Sequence, residues 1–559
     1  MKPVNSSRRE FLLSAGVAIT SAALCPGLLA EVSTQEKPQA ARTKMRGLMV
    51  DAARVPETLD YYRRVIEFCA DWQMNTLHFR LADDQGTALR FTTVPGLVTH
   101  ENAVTPEELK QLAEYARSQG VDLIPELESF GHTGFITRSP IYAHLLDRDA
   151  SGSAEYTGVI PVHPQTLELF DKLYQEIAAI FPSSYLHGGC DEVNWGGSGL
   201  SRQALEAKSR PQIWGEYLNA LNQSAQKLGK QFIVWGDFVL HKEPEILTRL
   251  SKSIIIMDWN YWDISSANLH DALAAIRANG SRAIGAPALI NYKWGPRAGT
   301  QQLRNIDAFA DAYLDTTDSG SLGVVLTNWV PSRYVQNSIW DGFAYAAVAF
   351  HQGADIAQTS GLRRFVEKHY QAEWNENWSE AFRIIYDAAP SVKEAAEHWM
   401  GLVLPVPWAD DQQLAACFAD KSPRSNPFTR LRSLLVQVEP LVEKNLPDFQ
   451  AFQLSAEYLE KMFWRQAVVA GHAARPLQRE ETDLLIHAIA ERDHELAQVL
   501  SNDWDHGRFP NSAAKREPVT DLSPKDQLVF QWQRAAAYSA SLASHPERFY
   551  QLLEAVRRG

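Results

Sequence analysis

The sequence predicts a (β/α)8 barrel followed by an α-helical C-terminal region. Three observations carry that reading. From Arg46 onward, short apolar runs alternate with longer amphipathic stretches. Eight such pairs fit into about 300 residues, the size of a barrel of this kind. Past residue 355 the strand signals stop, and long charged amphipathic stretches replace them. A doubly wound open sheet is the alternative, but no Gly-rich phosphate-binding turn follows any strand.

The strand candidates, in order, are Arg46–Val50, Thr76–Leu81, Asp122–Leu127, Ser184–Cys190, Gln231–Trp235, Ile254–Trp259, Arg282–Ala286 and Gly323–Asn328. Helical patterns lie between them at Glu57–Trp72, Pro106–Ser118, Gln165–Phe181, Gln203–Leu228, Asn268–Ala278, Gln301–Thr316 and Gln336–His351. Thr105-Pro106-Glu107-Glu108 reads as an N-cap, a proline in the first turn and two acids favoured by the helix dipole. Gly120 and Gly229 read as C-terminal stops. Asp448–Ala470, Glu480–Leu500 and Pro524–Ala543 are the long helical stretches of the second region, separated from what precedes them by breaks at Leu404–Trp408 and Pro423–Pro427. This region carries no motif and is read as packing on the barrel or as a homodimer surface.

The division that follows is 1–30 signal, 31–44 linker, 45–355 barrel and 356–559 helical region. Ser7-Arg8-Arg9-Glu10-Phe11-Leu12 resembles a twin-arginine export signal. The apolar stretch Phe11–Leu24 is shorter than the ~20 residues that span a bilayer. A small-residue cleavage site near Ala30 implies export to the periplasm or beyond, with no membrane span in the mature chain. Cys25 raises a lipid-anchor alternative, to which Leu24 fits poorly. The four cysteines, Cys25, Cys69, Cys190 and Cys417, form no metal or disulfide pattern and read as buried thiols. A net charge of −13 argues against a nucleic-acid partner, which needs a basic face. The 16 tryptophans suit stacking on sugar rings as well as core filling.

In a barrel of this kind the chemistry gathers at the C-terminal ends of the strands. Acids, histidines and tryptophans recur there while strand interiors stay apolar. The third strand carries Glu126, Glu128 and His132, the fourth His187, Asp191 and Glu192, and the fifth Trp235 and Asp237. The sixth carries Asp258, Trp259 and Trp262. Asn291, Tyr292 and Trp294 follow the seventh, and Trp329 and Arg333 follow the eighth. Glycosidic cleavage needs a proton donor for the leaving oxygen and stabilisation of an oxocarbenium-like transition state. Adjacent acids such as Asp191 and Glu192 can divide those tasks, because close spacing holds one protonated near neutrality. His132, His187, Asp191 and Glu192 can also be read as metal ligands, but no HExxH accompanies them. No GxSxG elbow is present either.

His187-Gly188-Gly189-Cys190-Asp191-Glu192 is an HxGxDE signature, with RGLMVDAAR at the first strand, ADDQG at the second, and FGHTGF and YAHLLDRD after the third. On these motifs the stretch from Arg46 to about Phe350 resembles glycoside hydrolase family 20, the β-N-acetylhexosaminidases, with features of the hexosaminidase D branch. The resemblance implies substrate-assisted retaining catalysis on amino-sugar glycans, without cofactor or metal. Glu192 would be the general acid and base, and Asp191 would orient the 2-acetamido group. Tyr292 would hold the acetamide oxygen, and Trp235, Trp259 and Trp329 would wall its pocket. Arg46 would bind sugar hydroxyls, with His132 and His187 around the carboxylates.

The sequence departs from the family pattern at the eighth strand, where Trp-x-Glu appears as Trp329-Val330-Pro331. That leaves the choice between N-acetylglucosamine and N-acetylgalactosamine open, with Arg333 as a substitute contact. Trp262 competes with Trp259 at the sixth strand. Two alternatives stand beside a hexosaminidase: a glycan-binding protein without turnover, and a glycosidase of different sugar specificity.

Overall fold

Eight parallel strands hydrogen-bond in chain order and close on themselves. They are β1 (Met45–Asp51), β2 (Thr76–Arg80), β3 (Asp122–Glu126), β4 (Tyr185–His187), β5 (Gln231–Trp235), β6 (Ile255–Trp259), β7 (Arg282–Ala286) and β8 (Ser321–Asn328). The computed structural model describes residues 44–149, 151–152, 158–262, 264–290, 297–314, 320–388, 426–509, 529 and 531–558. The expected signal at 1–30, the linker up to 43, Cys417 and Tyr292 lie outside them.

Strand phase separates two apolar populations, because successive side chains point to opposite faces. Met45, Met49, Ile124, Ile233, Met257, Ile284 and Val325 fill the barrel interior. Leu48, Val50, Leu77, Leu123, Phe232, Val234 and Val324 face out and meet the helices.

The surrounding helices include α1 (Leu59–Asp71), α2 (Pro106–Ser118), α3 (Pro164–Ile180), α4 (Gly199–Ala207), α5 (Arg210–Lys227), α6 (Glu245–Arg249), α7 (Ser266–Ala278), α8 (Thr300–Tyr313) and α9 (Trp340–Gln352). The N-cap of α2 is as the sequence implies: Thr105 and Glu108 form a reciprocal capping box ahead of Pro106. The single helix expected over Gln203–Leu228 is two. Ser209 caps α5 with Pro211 in its first turn, and this restarts the chain after Lys208.

The second region is helical, as expected, with α10 (Glu376–Ala388), α11 (Pro427–Val438), α12 (Leu446–Ala474), α13 (Arg479–Gly507), α14 (Gln531–Ser544) and α15 (Pro546–Arg558). It packs on the barrel through buried polar links. Asp448 of α12 takes Arg64 of α1 and lies 2.7 Å from His369. Tyr386 of α10 donates to Asp341 of α9 at 2.8 Å. Arg508, just past α13, meets Glu57 at 2.9 Å. No helix among the described residues is long and apolar enough to cross a membrane. Cys69 and Cys190 are buried free thiols.

Candidate active site

The strand register sets one row of polar groups at the carboxyl end of the lumen. Asp51 pairs with Arg80, Arg80 with Glu126 and Glu126 with His187 across β1 to β4. All four are buried and share the inward phase of the strands. Just beyond, the chain leaving β4 makes a tight turn. Gly189, Cys190 and Glu192 all have positive φ, at 66°, 75° and 45°. Such values cost a non-glycine residue ~1–3 kcal/mol, so the surroundings must hold them. They do: Cys190 N–H donates to Glu128 at 3.1 Å and Glu192 N–H to Asp237 at 3.2 Å. A Cβ on Gly189 would lie 2.0 Å from the Glu128 carboxylate, so glycine is required there.

This turn sets Asp191 and Glu192 against His132. The His132 Nε2 is 3.3 Å from Glu192 and 3.8 Å from Asp191, and its Nδ1 is 2.8 Å from Asp84. Burial opposes a charge on the ring, but Asp191, Asp84 and Glu192 outweigh it and raise the imidazole well above its ordinary value. Both ring nitrogens thus face carboxylate oxygens, an arrangement that favours the charged, doubly protonated ring. Burial likewise pushes Glu192 up, but the His132 bond and charge, with Lys242 and Arg54, pull it below the ordinary carboxylate value. Asp191 goes the other way: burial, then the Glu192 and Glu126 charges, lift it despite His132. The two adjacent acids are thus shifted in opposite directions. Asp237, buried beside Asp191, is pushed up to about 6 in spite of Lys242 3.1 Å away.

Beneath the pair lies a charged floor. Arg80 is fully buried and reaches Glu128 at 2.8 Å, Asp83 at 2.9 Å and Asp51 and Glu126 at 3.4 Å. Arg54 reaches Asp51 and Asp83, each at 3.1 Å. Both guanidinium groups lie over the Trp329 ring, at 5.4 and 5.3 Å from its centre. Trp329 also donates to the Tyr261 hydroxyl at 2.8 Å and packs on Trp235 at 5.7 Å. Trp259 faces the lumen and stacks on Tyr261 at 5.0 Å, whereas Trp262 is exposed. The structure therefore favours Trp259 over Trp262 at the sixth strand.

Two of the sequence expectations need correction. Arg46 stands at the amino end of β1, five residues below Asp51, so strand rise puts it about 16 Å from the rim. It also has the outward phase of Leu48 and Val50. The rim arginines are Arg54 and Arg80. His187 does point inward, but one layer beneath the acids. It is stacked on His78 at 4.8 Å and tilted against Trp235 at 4.6 Å, and burial lowers it to about 3. Its Nδ1 accepts from Gly189 N–H at 3.0 Å, so its proton sits on Nε2. Strand phase was the available signal for Arg80, Glu128 and Asp237; Arg54 and Tyr261, in loops, had none.

Among the described residues, two clusters have ligand-type atoms within 4.8 Å of one another: His132 with Asp191 and Glu192, and His78 with Glu126 and His187.

The fold is a closed (β/α)8 barrel with acids, arginines and tryptophans gathered at its carboxyl-end mouth. Residues 44–307 match the model for glycosyl hydrolase family 20, catalytic domain. A β-hexosaminidase of Vibrio furnissii is 28% identical over 254 residues, 39% of this chain and 40% of that protein. The β-hexosaminidase subunit beta of Rattus norvegicus is 26% identical over 270 residues, 44% and 46% of the two chains. A solved exo-β-N-acetylglucosaminidase of Vibrio harveyi is 21% identical, with a TM-score of 0.43 over 57% of this chain and 54% of that one. The segment 44–307 is thus similar in sequence to glycosyl hydrolase family 20 catalytic domains and is β-N-acetylhexosaminidase-like. The chain spans less than half the length of the two curated relatives, and the family match ends within α8, before β8.

Proposed function

We propose that this protein removes β-linked terminal N-acetylhexosamine from glycans by substrate-assisted retaining catalysis. The observation that carries the reading is the tight turn after β4, which sets the adjacent Asp191 and Glu192 against the His132 ring at 3.8 and 3.3 Å. Glu192 is the acid and base. It is the more open of the pair, and its side chain can take a proton from His132 Nε2 and pass it to the leaving oxygen. Asp191, held deeper, accepts from the substrate's acetamide N–H and balances the charge of the cyclised intermediate. The acetamide oxygen is the nucleophile, so the two-carboxylate scheme with an enzyme nucleophile does not apply. Trp235, Trp259 and Trp329 wall the acetamide side. Export through the Arg8-Arg9 signal places the reaction in the periplasm or outside the cell.

The test is release of nitrophenol from aryl N-acetyl-β-hexosaminides by wild type and Glu192→Gln, with a thiazoline analogue of the intermediate as inhibitor. Loss of the proton donor should cost ~10²–10⁴ in rate, and the thiazoline should bind tightly. Equal activity of the two proteins would overturn the assignment. Binding without turnover by the wild type would make this a glycan-binding barrel.

A further inference from the structure

Among the described residues, the helical region meets the rim of the barrel at the loop after β8. Val330 sits there with φ 52° and ψ 69°, a left-handed conformation that a β-branched residue rarely adopts. Something must hold it. From one side the buried Asp51 carboxylate accepts from Val330 N–H at 3.1 Å. From the other side comes Arg508. Its Nη2 donates to Pro331 O at 2.9 Å, its Nη1 to Tyr334 O at 3.5 Å and its Nε to Glu57 at 2.9 Å. Glu57 in turn accepts from Gln336 Nε2 at 2.7 Å. Arg508 and Glu57 are both buried, and the guanidinium lies over the Trp504 ring at 4.4 Å. Gly507 packs close to the Gln336 side chain, where an added Cβ would lie 2.6 Å from Oε1.

One residue before Val330 is Trp329, which covers Arg54 and Arg80 and bonds to Tyr261. Asp51, which holds Val330, is also a partner of both arginines. The chain of contacts therefore runs from Arg508 through Pro331 and Val330 to the tryptophan wall. We propose that Arg508 is a positioning residue for the active site, and that the C-terminal helical region is part of the catalytic scaffold. This rests on the proposed hexosaminidase reading. Asp191 and Glu192 lie on the β4 side and make none of these contacts, so the effect falls on the sugar-binding wall rather than on proton transfer.

The experiment compares full-length wild type with Arg508→Lys, Arg508→Met and the double variant Glu57→Gln/Arg508→Met on p-nitrophenyl N-acetyl-β-glucosaminide. Hydrogen exchange of the backbone amides is measured alongside. The expected result is a kcat/KM lowered about 10- to 100-fold in the Met variants, the scale of an ångström-level misplacement. kcat should change far less, and the lysine variant should recover part of the loss. Exchange at Trp329, Val330 and Arg333 should quicken relative to β3–β5. The double variant keeps the test decisive if Arg508→Met does not fold, because neutralising both members of a buried pair is better tolerated than stranding one. A folded double variant with wild-type KM and unchanged exchange in the loop would overturn the proposal. If wild type does not turn over the substrate, the hexosaminidase reading fails, and the exchange data alone still decide whether Arg508 holds the loop.

Discussion

His132→Asn isolates what the shared imidazolium does. His132 has φ 48°, and asparagine is among the residues that tolerate this region, so the backbone should survive the change. The substitution removes a charged donor 3.3 Å from Glu192 and 2.8 Å from Asp84, and a cation 3.8 Å from Asp191. A hydrogen bond involving a charged group contributes about 1.5–3 kcal/mol. Losing the one that orients Glu192 should therefore lower kcat/KM by roughly 10- to 150-fold. The pH profile gives a second, independent readout. With His132 present, its raised pKa keeps one proton in the pair, so the alkaline limb of kcat/KM lies well above the ordinary histidine value. Without it, Glu192 loses the cation that holds it down and its own pKa rises, but it alone must then hold the proton. The alkaline limb should fall to the carboxylic-acid range and the optimum should move acidic. The assay is kcat/KM for an aryl N-acetyl-β-hexosaminide from acid to alkaline pH, with circular dichroism to check folding. A profile of unchanged shape and a loss under about threefold, below the range worked above, would refute the proton-sharing argument.

Two further predictions follow from the floor and the turn. Gly189→Ala should abolish most activity while leaving the barrel folded, because the new Cβ would press on Glu128 and shift the acid-bearing turn; turnover near wild type would refute this. Asp83 is pushed up by burial but pulled down further by Arg54 and Arg80, to about 2. Its folded pKa is depressed, so its contribution is present above the ordinary carboxylate value and lost as pH falls through about 2. That contribution is of order 2 kcal/mol. The stability gap between wild type and Asp83→Asn in urea melts should narrow on acidification from about pH 4 to pH 2, and a gap constant over that window would refute it.

Alternation of apolar runs with amphipathic stretches determined the barrel, because period-two strands with an apolar interior and helices with one buried face have no better way to pack. Local chemistry determined the start of α2, and the HxGxDE run placed Asp191 and Glu192 on a strand-end turn. Arg46 shows where that kind of reading stops. Its motif was recognisable, but which arginine of RGLMVDAAR reaches the rim depends on strand phase and on where β1 ends. The same holds for Arg80, whose four acidic partners come from β1, the loop after β2, β3 and the chain just past β3. The His132 environment forms only when Asp84, from the loop after β2, and Asp191 and Glu192, from the turn after β4, converge on it. The contact of Arg508 with Glu57 joins residues 451 positions apart. No local pattern encodes a pairing at that separation, since burial of a charge is favourable only once the partner is in place. The sequence alone thus determined the barrel and its acid pair, and the tertiary structure decided which cations serve that pair and how the helical region holds its far wall.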